Sequence, residues 1–391
     1  MNKSVWAYFV TVLVTVGGCA SYPVNARLDK FDTDAGYRFK NLEPKSDGDP
    51  ENNPDKLFVI LTFSGGGTRA AALAYGVVQQ LAETKIGGGE RTLLDEVDVI
   101  SSVSGGSFTA AYYALFRDDL FVSFEEDFLK RDVQGELALR LFSPWNLIRL
   151  SSLWFSRTDM AAEYYDKHIF RNKTYADLAA SCKRPFLIVN AADMTYGMPF
   201  EFTQEQFDLL YSDLEQVPVA RAVAASSAFP VLLTPLTLKN HRRGGDFHAP
   251  VWIENALEYG KNDWRGYRLA LQARSFADLN NRPYVHLLDG GVAENLGVPA
   301  ILRALAGTDR EGSIINQINN GTVKRVVVIV VNANPDQDTS WDQRSYAPNV
   351  GEVVEASVKG LMDTNLFESA ARLSDHIYQA GREQATYDDC Q

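Results

Sequence analysis

An α/β fold, with a mostly parallel central sheet covered by helices on both faces, is predicted by three observations. Short apolar runs alternate along the chain with segments of helical periodicity, the pattern of βα units. Three glycine-containing loops each follow one of those runs directly, where open α/β sheets carry their chemistry. The composition, 46% hydrophobic and 23% charged over 391 residues, is that of a globular chain with a sizeable core.

The elements follow in order. Leu57–Phe63 (LFVILTF) is an unbroken apolar run, as expected of a strand buried on both faces. Residues 68–83 place Ala, Leu and Val at helical spacing, and a second strand–helix pair follows at Val97–Val103 and Gly105–Phe116. Phe186–Ala191 and Tyr284–Leu288 read as further strands. Val323–Asn332 is strongly β-branched and reads as a central strand, and Gly351–Tyr378 as a long C-terminal helix. Residues 117–180 differ: aromatics such as Phe124, Phe142, Trp145, Trp154 and Tyr165 stand amid charges without strand alternation. That segment is predicted to be a helical cap-like insertion, either extra core or a lid over the site.

Residues 41–55 are rich in Pro, Asn, Asp and Glu and offer almost nothing to bury. With the scattered aromatics of residues 20–40, they make 19–55 a tether or linker with some docking. The folded domain then occupies 56–391. Lys and Arg number 38 against 50 Asp and Glu, a net charge of −12. That balance disfavours nucleic acid as a partner, and disfavours electrostatic attachment to anionic lipid.

At the start, Lys3 precedes an apolar stretch from Val5 to Val16, then Gly17, Gly18 and Cys19. The stretch is short for a bilayer core of ~30 Å and fits a signal-peptide h-region. Its Val-Gly-Gly-Cys end resembles the lipobox of bacterial lipoproteins. That resemblance implies a signal peptide at 1–18, lipidation of Cys19 and firm anchoring by acyl chains worth ~0.8 kcal/mol per buried CH₂. Ala20 after the cysteine, rather than Asp, implies the outer membrane. Export implies an oxidising compartment, where Cys182 and Cys390 either pair or remain a buried thiol and a frayed tail.

The first distinctive loop is Ser64-Gly65-Gly66-Gly67-Thr68-Arg69, between a strand and a helix. Successive glycines expose N–H groups at a positive helix end and make an anion site. No Gly-Lys-Ser/Thr ending follows, so it is not a nucleotide P-loop. The second is Ser102-Val103-Ser104-Gly105-Gly106, a strand turning sharply into a helix. This is the shape of a nucleophile elbow, which lifts Ser104 above the sheet and needs small neighbours. The third is Asp289-Gly290-Gly291, at the end of the strand from Tyr284. Each loop alone is equally a plain turn.

Together and in this order they resemble the patatin-like phospholipase family: a G-G-G-x-R/K loop, a G-x-S-x-G elbow and a D-G-G/A turn. Ala224-Ala225-Ser226-Ser227-Ala228-Phe229-Pro230 is similar to the family's A-S-x-A-x-P segment. The likeness spans about residues 56–335. Ser102 replaces the elbow's first glycine, and Ala70 stands where a glycine often follows the basic residue. The resemblance implies a three-layer α/β/α patatin-like fold and a serine acyl hydrolase acting on membrane (lyso)phospholipids through a Ser–Asp dyad. Ser104 would be the nucleophile and Asp289 the base. The amides of Gly65, Gly66 and Gly67 would form the oxyanion hole, with Gly105 and Gly106 giving support. Arg69 would either pair with substrate phosphate or hold the loop. Nothing in the sequence signals a metal or nucleotide, so no cofactor is expected.

A Ser-His-Asp triad is the competing constellation. His168, His241, His248, His286 and His376 are the candidates. None follows the acid in a suitable loop, and strand alternation turns His286 away from Asp289. His241, Asp246 and His248 could be read as a metal cluster, but no second cluster supports them. A soluble ester or thioester hydrolase, and a non-catalytic lipid-binding lipoprotein, remain the alternative functions.

Overall fold

A computed structural model describes residues 21–42, 57–86, 91–230, 232–260, 264–306, 323–334 and 339–388. The signal peptide, Cys19, residues 43–55 of the linker and Cys390 lie outside the described residues.

From the first strand onward, sheet and helices alternate: β1 (Leu57–Phe63), α1 (Gly67–Glu83), β2 (Val97–Val103) and α2 (Gly105–Phe116). The cap follows, with α3 (Leu120–Phe124), α4 (Val133–Leu141), α5 (Pro144–Leu150), α6 (Arg157–His168) and α7 (Tyr175–Ser181). Next come β3 (Phe186–Asp193), β4 (Met198–Glu201), α8 (Gln204–Leu209), α9 (Val219–Ser226) and β5 (Leu236–Lys239). The chain closes with α10 (Val251–Glu258), α11 (Trp264–Ser275), β6 (Tyr284–Asp289), α12 (Val298–Ala306), β7 (Arg325–Val331) and α13 (Val350–Asp388).

The strands form one mixed, mostly parallel sheet in the order β5-β6-β3-β2-β1-β7, with β4 also paired to β3. β1 runs parallel to β2 and β7, and β2 parallel to β3. β6 is antiparallel to both β3 and β5. β2 and β3 are buried at every residue, and β1 at all but Leu57, which explains their unbroken apolar sequences. The β-branched run near 325 is not central: among the described residues β7 is the last strand of the order. It leaves Val327 and Val330 exposed. β-branched composition reports a pleated environment, and an end strand with one covered face supplies that as well as a central one.

Register explains how distant residues meet. Phe63, at the end of β1, pairs with Ser102 and with Val331. One residue on, Val103 pairs with Asn190, and Ala191 pairs with Asp289. The ends of β1, β2 and β6 therefore share one level of the sheet, with β3 between the last two.

Residues 21–42 are docked along their length. Asn25 donates to the Lys239 carbonyl (2.9 Å) and accepts the Lys239 N–H (2.7 Å), imitating a strand pair at the end of β5. Tyr37 is buried, stacks on Phe186 with ring centroids 4.7 Å apart, and its hydroxyl accepts the Leu187 N–H. Arg38 pairs with Asp208 at 2.8 Å. In the cap, Phe124, Phe128, Tyr164 and Tyr165 are core residues. Phe108 of α2 stacks on Phe128 (4.2 Å) and meets Tyr165 edge-on (5.0 Å), so part of the cap is fixed to the helix after the elbow. Cys182 is partly exposed, and its thiol donates to the Ala179 carbonyl.

Candidate active site

Ser104 sits between β2 and α2 with φ 48° and ψ −119°, a conformation a side-chain-bearing residue adopts only under constraint. The constraints are visible. Its N–H donates to Ser226 Oγ at 2.8 Å, and the Ser226 hydroxyl donates to the Asn190 carbonyl at 2.6 Å. The Ser104 carbonyl accepts the Ser107 N–H at 3.0 Å. The two glycines that follow are required by close approach. A Cβ on Gly105 would lie 2.1 Å from the Gly67 carbonyl oxygen. One on Gly106 would lie 2.7 Å from both Phe63 Cβ and the Ser64 carbonyl oxygen.

The Ser104 hydroxyl donates to Asp289 Oδ2 at 2.7 Å. The other carboxylate oxygen accepts the Gly291 N–H at 2.8 Å, and the Asp289 N–H is held by the Ala228 carbonyl at 3.0 Å. Burial raises the Asp289 pKa to about 6, outweighing the hydrogen bonds from Ser104 and Gly291 that favour the ionised form. Asp289 is 2% exposed and Ser104 9%, so the pair is screened from bulk water.

The glycine loop lies against this pair, and here one expectation is corrected. The Gly65 N–H is already bonded to the Asn295 carbonyl (3.1 Å), so Gly65 does not offer an amide to an anion. Its lack of a side chain serves packing instead, because a Cβ there would lie 2.3 Å from Asn295 Oδ1. Gly66 (φ 137°) and Gly67 (φ 64°) are the N-cap and first residue of α1. N–H groups at these positions have no carbonyl one turn earlier to bond, and both φ values favour glycine. Arg69 Nε donates to the Ala333 carbonyl at 3.1 Å, which fits the loop-holding alternative. Ser64 supports the same corner: its hydroxyl accepts the Ala333 N–H at 2.8 Å.

The two departures from the motif are accommodated. Ser102 is fully buried and its hydroxyl donates to the Ile188 carbonyl on β3. Ala70 is buried, and its methyl lies 3.2 Å from where a Gly66 Cβ would be.

Sequence reasoning assigned no role to Ser226, Asn190, Asn295 or Glu294. Ser226 and Ala228 belong to the segment singled out by motif, and they hold Ser104 and Asp289 respectively. Asn190 donates from Nδ2 to the Ser102 carbonyl and to Ser101 Oγ. Glu294 accepts the N–H groups of Leu296 and Gly297, and burial pushes its carboxyl up to about 7. Nothing local in the sequence marks Asn190 or Asn295, whose work is done across the sheet.

Three of the five histidines are engaged elsewhere. His168 meets Arg140, His241 meets the Asn25 carbonyl and His286 meets Thr237 Oγ1. Asp246 is held by the Phe31 N–H and the Tyr211 hydroxyl rather than by His241 or His248. Among the described residues no group of three or more His, Cys, Asp or Glu side chains is placed to hold a metal ion.

A family model described as patatin-like phospholipase matches residues 61–302. No curated protein matches the chain. Among solved structures, human GIVD cytosolic phospholipase A2 is similar at 14% identity and a TM-score of 0.35, covering 64% of this chain and 42% of that one. The same human enzyme in complex with methyl gamma-linolenyl fluorophosphonate inhibitor and terbium chloride matches at 16% identity and a TM-score of 0.30. That match covers 60% of this chain and 36% of the other. The chain spans less than half the length of these structural relatives.

Proposed function

The chain belongs to the patatin-like phospholipase family, matched over residues 61–302, and from that premise we propose that it hydrolyses fatty-acyl esters of membrane (lyso)phospholipids through Ser104 and Asp289. The family itself supports hydrolysis of lipid esters. The observation that carries the finer reading is the 2.7 Å hydrogen bond from the Ser104 hydroxyl to a buried carboxylate.

In this reading Ser104 Oγ bonds to the ester carbonyl carbon while its proton passes to Asp289 Oδ2. The carbonyl oxygen becomes an oxyanion facing the amides of Gly66 and Gly67, where one such donor is worth about 3–4 kcal/mol. Collapse breaks the ester C–O bond, and the leaving alkoxide takes the proton from Asp289. Water then attacks the acyl carbon, giving its proton to Asp289; collapse breaks the bond from that carbon to Ser104 Oγ, which takes the proton back from Asp289 as the fatty acid leaves. A carboxylate with a pKa of about 6 suits this role, being mostly ionised at neutral pH yet basic enough to accept a proton.

Lipidation at Cys19 and residence in the outer membrane belong to the same proposal. They rest on the Val-Gly-Gly-Cys sequence and Ala20. Among the described residues no helix is long and apolar enough to cross a membrane.

The test is release of fatty acid from phospholipid, from lysophospholipid and from a short p-nitrophenyl ester. The proposal expects turnover on the lipids, falling more than about 10³-fold in Ser104→Ala. Turnover of the short ester alone would assign the site to soluble esters. Equal activity in Ser104→Ala would overturn the proposal.

A further inference from the structure

The hairpin of α4 and α5 turns much of its apolar surface outward, while Val133 and Leu137 of α4 pack on the core. Neither helix carries a buried residue. Their charged side chains are used inward, on α6. Arg149 makes paired hydrogen bonds to Glu163, Arg140 meets His168, and Glu136 accepts the Tyr164 hydroxyl and a paired contact from Arg131. The large apolar side chains left exposed are Leu139, Phe142, Trp145, Leu147, Leu153 and Trp154. They include two tryptophans, and Leu153 is 93% exposed. A helix in contact with water ordinarily turns its apolar stripe inward and its charges outward. Apolar residues gathered on one outward segment mark a surface that another phase or molecule covers.

The chain itself indicates what covers it. Ser21 bridges to Trp154, and the Tyr22 N–H donates to the Trp154 carbonyl. Cys19 is two residues before Ser21, and two residues of chain reach at most about 7 Å. An acyl group on Cys19 would therefore enter its bilayer beside Trp154. The side of the molecule also fits. Asn25 is bonded to the end of β5, which runs in the same sense as β3 because both are antiparallel to β6. Asn25 thus lies at the end of the sheet toward which β1–β3 run, the end where Ser104 follows β2. The structure is tied together there: α6 begins three residues after Trp154, and its Tyr165 packs on Phe108 of the elbow helix.

We infer that the exposed face of the α4–α5 hairpin, continued through Leu153 and Trp154, docks into the surface of a phospholipid bilayer. Its tryptophans lie at the boundary of headgroup and acyl chain, where that side chain is favoured. The attraction is apolar, since a chain of net charge −12 gains nothing from anionic lipid. The inference deepens the proposed function by naming the surface on which the site finds its substrate, and it rests on that reading for its purpose.

The experiment uses the full lipidated chain in phosphatidylcholine vesicles with bromine on the acyl chains, which quenches nearby tryptophan. Quenching of the parent is expected to exceed that of Trp145→Phe/Trp154→Phe and to persist in about 0.5 M salt, where charge attraction is screened. Equal quenching of both proteins, or loss of the difference in salt, would overturn the inference. A second variant, Leu139→Ser/Phe142→Ser/Leu153→Ser, is expected to lose at least about tenfold of its turnover on vesicle phospholipid. It is expected to keep its turnover of a short soluble ester. Unchanged vesicle turnover, or equal loss on both substrates, would count against the face. Absence of ester turnover in the parent would instead count against the assigned site, leaving the quenching result to judge the face.

Discussion

The Ser226 hydroxyl accepts the backbone N–H of Ser104 at 2.8 Å while donating to the Asn190 carbonyl at 2.6 Å, so one buried side chain fixes the strained turn to the neighbouring strand. Replacing it leaves a buried N–H without a partner, at a cost of about 1–3 kcal/mol. Ser226→Ala is expected to lower kcat on a soluble ester by about ten- to a hundredfold, with KM little changed, because Ser226 sets the turn rather than touching substrate. Steady-state kinetics checks this; an unchanged kcat would show that the turn holds itself.

As the proposed base, Asp289 is expected to set the pH dependence. Its pKa is raised from 3.8 to about 6 by burial, so activity on a soluble ester should fall tenfold per pH unit below about pH 6 and level off above it. A pH–rate profile with no inflection near 6 would contradict this assignment.

The same shift has a stability consequence of definite sign. The folded-state pKa lies above the unfolded value, so the stabilising contribution is complete below about pH 4 and is lost as pH rises through 6. Relative to acid, ionised Asp289 costs the fold about 3 kcal/mol at pH 8 and about half that at pH 5. Asp289→Asn, whose Oδ1 can still accept the Gly291 N–H while its Nδ2 donates to Ser104 Oγ, should therefore unfold at a higher temperature than the parent. The gain should be larger at pH 8 than at pH 5, as read by calorimetry.

Two glycines separate backbone contact from mere absence of a side chain. Gly105→Ala drives a methyl into the Gly67 carbonyl, where the three nearest atoms it meets are all backbone. It should cost more than about 3 kcal/mol and abolish ester turnover. Gly76 lies exposed within α1 with no atom near a built Cβ. Gly76→Ala should gain about 0.5–1 kcal/mol and leave turnover unchanged. Urea unfolding and ester assays on the two variants check the contrast.

What was legible in the sequence was local. β1, β2 and α2 have the bounds the sequence suggests, because an apolar run followed by glycine and a helical repeat is a signal carried within about twenty residues. The four-residue strands β4 and β5 are too short to show a period. The direction of β6 depends on a partner, β3, nearly a hundred residues earlier. Asn295 could not be tied to Gly65, since the bond joins a main-chain carbonyl to a main-chain amide and leaves no trace in residue type. The cap's aromatics divide into buried Phe124 and Phe128 and exposed Phe142 and Trp145, and only packing distinguishes them. Glycine motifs announce where backbone must come close. They do not say which amides are left over.

The central claim is that the Ser104 hydroxyl is activated by the carboxylate beside it. Reaction with a fluorophosphonate, followed by peptide mass spectrometry, tests this most directly. The account predicts a single adduct on Ser104, formed at a rate that rises through about pH 6 and collapses in Asp289→Asn. No adduct at Ser104, or equal labelling of Asp289→Asn and the parent, would contradict it.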